Sequence, residues 1–147
     1  MKVYRIIALL SLWATLAQTG FVKEKLKENL MVTVKECQEE SGASEVDMQT
    51  IKAKKIPQTE TGLCMMECLF NKVKIMKEGK FNKEGMLIAV TPFLRGDLKK
   101  ISKMRDFGDK CLEYIGEGSK EKCQDVKLLV ECFQRYGKEY GLAIPSP

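Results

Sequence analysis

Six cysteines behind an apolar N-terminal leader set the tightest limit on what this chain can fold into. Lys2 and Arg5 precede the apolar run Ile6–Ala14, and Thr15-Leu16-Ala17 ends in small residues. That is the pattern of a secretory signal over residues 1–17, with cleavage near Gln18. The run is too short for a spanning helix, which needs about 20 apolar residues. Cys37, Cys64, Cys68, Cys111, Cys123 and Cys132 all follow it. An even count behind a signal implies three disulfides in an oxidising, extracellular compartment. A zinc site is disfavoured, because the chain has no histidine and one close cysteine pair.

Spacing alone leaves 15 pairings open. Cys64 and Cys68 share one helix face, so they are expected to reach two different neighbours. Cys123 and Cys132 are nine residues apart, two and a half turns, and are expected to point to opposite sides of one helix. The absence of histidine removes the commonest general base and the Ser-His-Asp and Cys-His sites built on it. No enzyme is expected, no cofactor and no metal. Apolar residues are 44% of the chain, enough for a real core in one domain, residues 18–147. Losing Lys2 and Arg5 with the leader leaves 23 basic and 20 acidic side chains, a balance of +3. Lysines alternate with glutamates along most of the chain, which argues against a nucleic-acid partner.

The intervals Cys37-x26-Cys64-x3-Cys68-x42-Cys111-x11-Cys123-x8-Cys132 carry a resemblance. With Cys68-Leu69-Phe70 and Phe81-Asn82-Lys83-Glu84-Gly85, the chain resembles the insect pheromone and general odorant-binding protein family, in its ordinary six-cysteine class. The x3 and x8 intervals are the fixed ones in that family. The resemblance implies the pairing Cys37–Cys68, Cys64–Cys123 and Cys111–Cys132. It implies an all-α fold of about six helices, stapled by three interlocked disulfides around an internal apolar cavity.

Apolar periodicity predicts a first helix from Phe21 to about Glu40 and a short second one through Val46, Met48, Ile51 and Ala53, capped by Ser44. Lys54-Lys55-Ile56-Pro57 stops it. A third helix runs from Thr59–Thr61 through Met76. Residues 79–85 read as a loop, and Met86–Val90 as helix, since no partner strand is evident. Thr91-Pro92 opens a further helical piece reaching Met104, and residues 106–115 read as a separate short helix. Ser119 looks like the cap of the last helix, which carries Val126 to Tyr136.

Inward faces of these helices line the cavity that the resemblance implies. The expected ligand contacts are Met66, Phe70, Val73, Met86, Val90, Phe93, Met104, Phe107, Leu129, Val130 and Phe133. Phe107, Val130 and Phe133 match family pocket positions by their distances from Cys111 and Cys132. Methionine suits a pocket that accepts several shapes. Tyr114, Tyr136, Tyr140 or Ser102 are candidates to meet a polar ligand end. Leu142 and Ile144 of the tail are candidates to fold over the cavity. The expected role is a secreted carrier of small hydrophobic ligands such as odorants or pheromones. An olfactory receptor or a membrane surface would be a further partner, and the chain a monomer or weak homodimer. The alternatives are a non-olfactory lipophile carrier of the same fold and a surface-acting toxin or inhibitor.

Overall fold

The computed structural model describes residues 28–142. The leader, its cleavage point, the first helix start at Phe21, and Ile144 lie outside the described residues. The described residues fall into two units, 28–35 and 36–142. In the first, residues 28–35 are helical, and Thr33 Oγ1 donates to the Asn29 carbonyl.

The second unit opens with helical residues 36–41, here α1. Then follow α2 (Glu45–Lys52), α3 (Glu60–Lys72), β1 (Met76–Lys77), β2 (Lys80–Phe81), α4 (Lys83–Val90), a 3-10 turn (Thr91–Leu94), α5 (Leu98–Ile115) and α6 (Gln124–Tyr136). Among the described residues the fold is all-α, six helices with one two-residue hairpin. None of the described helices is long and apolar enough to cross a membrane.

Caps define where helices begin. Ser44 Oγ accepts from the Asp47 N–H, and the Asp47 carboxylate accepts from the Ser44 N–H, a reciprocal capping box. Asp47 is nearly buried and also accepts from the Thr59 and Thr61 hydroxyls. Thr59 in turn caps α3 by accepting from the Gly62 N–H. One carboxylate thereby fixes the start of α2 against the start of α3. The Thr59 hydrogen bond, then those from Ser44, hold its carboxyl below the ordinary range against the opposing effect of burial.

The hairpin corrects the reading of residues 79–85 as plain loop. Met76 pairs with Phe81 and Lys77 with Lys80. Glu78 and Gly79 both adopt positive φ, 52° and 74°, which suits a two-residue turn between twisted strands. Two-residue strands are too short for alternation to register in a sequence. The third helix also ends sooner than expected, at Lys72, and Val73 is its C-cap.

Residues 98–115 form one helix where two segments were expected. Gly108 lies inside it, and a Cβ there would press on the Lys83 side chain of α4. The glycine is thus a site of close helix approach. Asp97 caps this helix, accepting from the Lys99 and Lys100 N–H groups. Ser119 does not cap α6. Its N–H donates to Asp125, and α6 starts after Cys123, which holds a left-handed φ of 58° with no side-chain cap.

Three disulfides join these parts: Cys37–Cys68, Cys64–Cys123 and Cys111–Cys132. This is the pairing the resemblance implies. The bridges tie α1 to α3, α3 to the head of α6, and α5 to α6. Cys64 and Cys68 do reach different neighbours, whereas Cys123 precedes the helix that carries Cys132. The core gathers Leu63, Met76, Met86, Leu87, Met104, Phe107, Val126 and Leu129 around the buried Cys111 and Cys132.

Candidate functional site

Helix α3 presents Met66 and Phe70, four residues apart and so on one face. Helix α6 presents Val130, Phe133 and Gln134. Between them, closed on the third side by Ile51, Lys54 and Lys55 at the end of α2, lies a pocket of about 230 Å³. Its wall is almost wholly carbon. The Cys64–Cys123 bridge fixes the two main walls, because it ties α3 to the first residues of α6.

Phe133 joins the pocket to the core. Its ring meets Phe70 and Phe81 edge-on, each at 6.4 Å between centroids, and lies 5.3 Å from Phe107. Phe107 is fully buried and also touches the Tyr140 ring at 5.4 Å. Such aromatic pairs each add about 0.5–1.5 kcal/mol beyond area burial.

Of the expected contacts, Met66, Phe70, Val130 and Phe133 come together on this pocket. Met86, Met104, Phe107 and Leu129 are buried in the core behind it, with Val90 packed against that core. Two residues stand apart. Val73 is 49% exposed, because α3 stops before its stripe could continue. Phe93 is 82% exposed, because the 3-10 turn winds three residues per turn and sends Leu94 inward instead.

The polar candidates fall elsewhere too. The Tyr114 hydroxyl donates to Glu131 and its ring packs on Tyr136, Tyr140 lies against Phe107, and Ser102 is exposed. Leu142 packs on the core, its N–H donating to the Gly137 carbonyl.

The polar edge of the pocket comes from Lys54, Lys55 and Gln134, residues the sequence reading passed over. Lys54-Lys55 read as a helix stop, and it is one. Lys54 takes a left-handed φ of 61°, its N–H donating to the Ile51 carbonyl and that of Lys55 to Thr50. The turn that ends α2 therefore sets two lysines at the edge of an apolar pocket.

A second hollow, about 320 Å³, is lined by Glu40, Glu60, Glu67, Asn71, Lys72 and Lys122 beside two disulfides. Burial, then the nearby Asp125 carboxylate, raises the Glu67 carboxyl, with Lys122 opposing. It is larger but polar, so a hydrocarbon entering it would gain little, and the charged wall would lose water. The smaller carbon-lined pocket is the better fit for an apolar guest.

Family comparison decides what kind of protein uses this arrangement. A model of the PBP/GOBP family matches residues 20–136. The chain belongs to the PBP/GOBP family. It is 28% identical over 145 residues to general odorant-binding protein 19d of Drosophila melanogaster, covering 98% of this chain and 94% of that one. It is 25% identical over 138 residues to general odorant-binding protein 28a of the same fly, covering 93% and 94%. Two solved structures share the fold. One is odorant-binding protein dmelOBP28a from Drosophila melanogaster, with TM-score 0.63, 24% identity, and coverage of 80% of this chain and 97% of the other. The other is the fatty acid binding protein OBP56a from the oral disk of the blowfly Phormia regina, with TM-score 0.59, 19% identity, and coverage of 79% and 95%. As a PBP/GOBP member, the chain is a carrier of small hydrophobic ligands.

Proposed function

We propose that this protein is a secreted carrier that takes up a small, mainly apolar ligand between α2, α3 and α6. The observation that carries this reading is the carbon-lined pocket of Ile51, Met66, Phe70, Val130 and Phe133, held by the Cys64–Cys123 bridge. No bond is made or broken. An apolar tail leaves water, and each buried methylene favours binding by about 0.8 kcal/mol. That is roughly fourfold in Kd.

The rim suggests what the outer end of the ligand carries. Lys54 and Lys55 are the charged residues lining the pocket, and Gln134 adds a neutral amide. A carboxylate or hydroxyl head would meet donors there, whereas an amine would be repelled. The fatty acid binding blowfly neighbour fits this reading.

Displacement of an apolar fluorescent probe from the oxidised protein by homologous acids and alcohols tests the proposal. Affinity should rise about fourfold per added carbon until the pocket is filled, then level off. It should vanish on reduction. A folded, oxidised protein with no saturable probe binding would overturn the reading.

A further inference from the structure

Met65 and Met66 are neighbours in sequence with opposite surroundings. Successive side chains leave a helix about 100° apart, so α3 turns the two to different sides. Met65 is 1% exposed. Met66 is only partly buried and lines the pocket with Ile51, Phe70, Val130 and Phe133.

The other sulfur atoms of the second unit are out of reach or already spent. Met48, Met76, Met86 and Met104 are buried. All six cysteines are in disulfides. Met31 is 63% exposed, but it belongs to the first unit, which holds none of the pocket residues. Among the described residues, Met66 is therefore the methionine that both meets solvent in the folded protein and lines the pocket.

We propose that Met66 is a modification site, where a hydroperoxide forms the sulfoxide and thereby weakens ligand binding. The thioether sulfur attacks one peroxide oxygen with a lone pair, and the O–O bond breaks. That oxygen stays on sulfur as the sulfoxide, and the other leaves as water when the oxidant is hydrogen peroxide. Sulfur loses two electrons and the peroxide gains them. The product is polar where the thioether was not. Ile51, Phe70, Val130 and Phe133 carry no side-chain donor to meet the new oxygen. An apolar ligand seated over it would strip its water without replacing the hydrogen bond.

The same change in a closed core would loosen the fold. Here the side chain borders a void, so the new oxygen has room and the fold survives. The relation runs both ways, because a ligand in the pocket covers Met66. An occupied carrier is shielded and an empty one is open to the oxidant. This inference rests on the pocket being the ligand site, as proposed above.

Dilute hydrogen peroxide on the disulfide-bonded protein, with and without the fluorescent probe phenylnaphthylamine, tests it. Met65 and Met66 share the tryptic peptide 56–72, and tandem mass spectrometry tells them apart. Met66 and Met31 should gain oxygen, while Met65, Met76, Met86 and Met104 should not. With probe at about ten times its Kd, Met66 should react about tenfold more slowly, since only the empty fraction is open to attack. Met31 should react at its former rate. Treated protein should bind the probe about tenfold more weakly, with an unchanged circular dichroism spectrum. Peroxide should not weaken Met66→Leu below its own untreated affinity, whereas Met31→Leu should lose affinity as the parent does. Met66→Gln, which mimics the polarity of the sulfoxide, should show the loss without peroxide.

An unmodified Met66 would overturn the inference. So would full modification of Met66 that leaves probe affinity intact, or an equal loss in Met66→Leu; in both cases the untreated protein still binds and the carrier reading stands. No saturable probe binding by untreated, folded protein would overturn the carrier reading itself, and this inference with it.

Discussion

Phe133 packs against Phe107 at 5.3 Å between ring centroids, so one ring serves as both pocket wall and cover of the buried core. Pocket and hydrophobic core are therefore continuous here. A substitution behind the wall disturbs the fold, while one on its outer edge can disturb binding alone.

Val130 lies on that outer edge, half-buried and facing the pocket. Val130→Trp should fill much of the 230 Å³ void. Probe affinity should fall about tenfold or more, with a stability change within about 1 kcal/mol, since the added ring grows into empty space rather than into packed core. Fluorescence titration beside urea denaturation reads both. Undiminished affinity would place the ligand elsewhere.

Gly85 is the reverse case. It lies in the first turn of α4, where alanine would ordinarily improve a helix. A Cβ here would run into the Lys74 carbonyl oxygen, which the Asn82 side-chain amide already holds at 3.0 Å. Gly85→Ala should destabilise the protein by about 1–3 kcal/mol, seen as a lower thermal midpoint. A gain in midpoint would show that the α3–hairpin connection yields easily.

Asp47 should give the fold an acid limit. Its folded pKa is depressed, chiefly by the Thr59 hydroxyl and then by Ser44. The stability it contributes is fully present above its unfolded value of about 3.9 and is lost as pH falls through the folded value. Between pH 7 and 5 the contribution of this carboxylate to stability should stay constant. Asp47→Asn should cost about 1–2 kcal/mol at pH 7, through the weakened cap and hydrogen bonds, and the deficit should shrink in strong acid. Denaturation curves of both proteins at pH 7 and pH 3 test the sign.

Ligand affinity, by contrast, should barely respond over the mildly acidic range. The chain has no histidine, and the residues lining the pocket include Lys54 and Lys55 but no carboxylate. Probe Kd at pH 5.5 should stay within tenfold of its value at pH 7. A larger loss would require a carboxylate that senses the pocket.

The bridges should differ in weight. Cys64–Cys123 closes 59 residues and Cys111–Cys132 closes 21. Chain entropy assigns them about 4 and about 3 kcal/mol. Replacing Cys64 and Cys123 by serine should also abolish probe binding, because that bridge joins the two pocket walls. Replacing Cys111 and Cys132 should lower stability first. Titration of both variants at a temperature where each remains folded separates the two effects.

Long-range order was more legible in the sequence than short-range order. The cysteine intervals and the helical stripes of α2, α3 and α6 announced the fold, because bridge spacing and a 3.6-residue period persist over many residues. The hairpin at Met76–Phe81 escaped, since four residues carry no period and its turn uses a left-handed Glu78. The continuity of α5 was missed as well, although Met104, Phe107 and Cys111 keep helical spacing across the expected break at residue 105. At the site, Met66, Phe70, Val130 and Phe133 were readable as inward stripes. Phe93 was not readable as exposed, because a 3-10 turn shifts which residue faces inward. Lys54 and Lys55 were visible as a terminator, yet their place on the rim depends on α2 ending against α3 and α6.

The crossed bridges also bear on how the protein can be made. Every cysteine partner lies at least 21 residues away, so no correct pair forms from neighbours that meet early. A chain oxidised in haste would trap wrong partners among the fifteen pairings. Good yields therefore call for a compartment, or a refolding buffer, where bonds are reshuffled by thiolate exchange until α3 sits between α1 and α6.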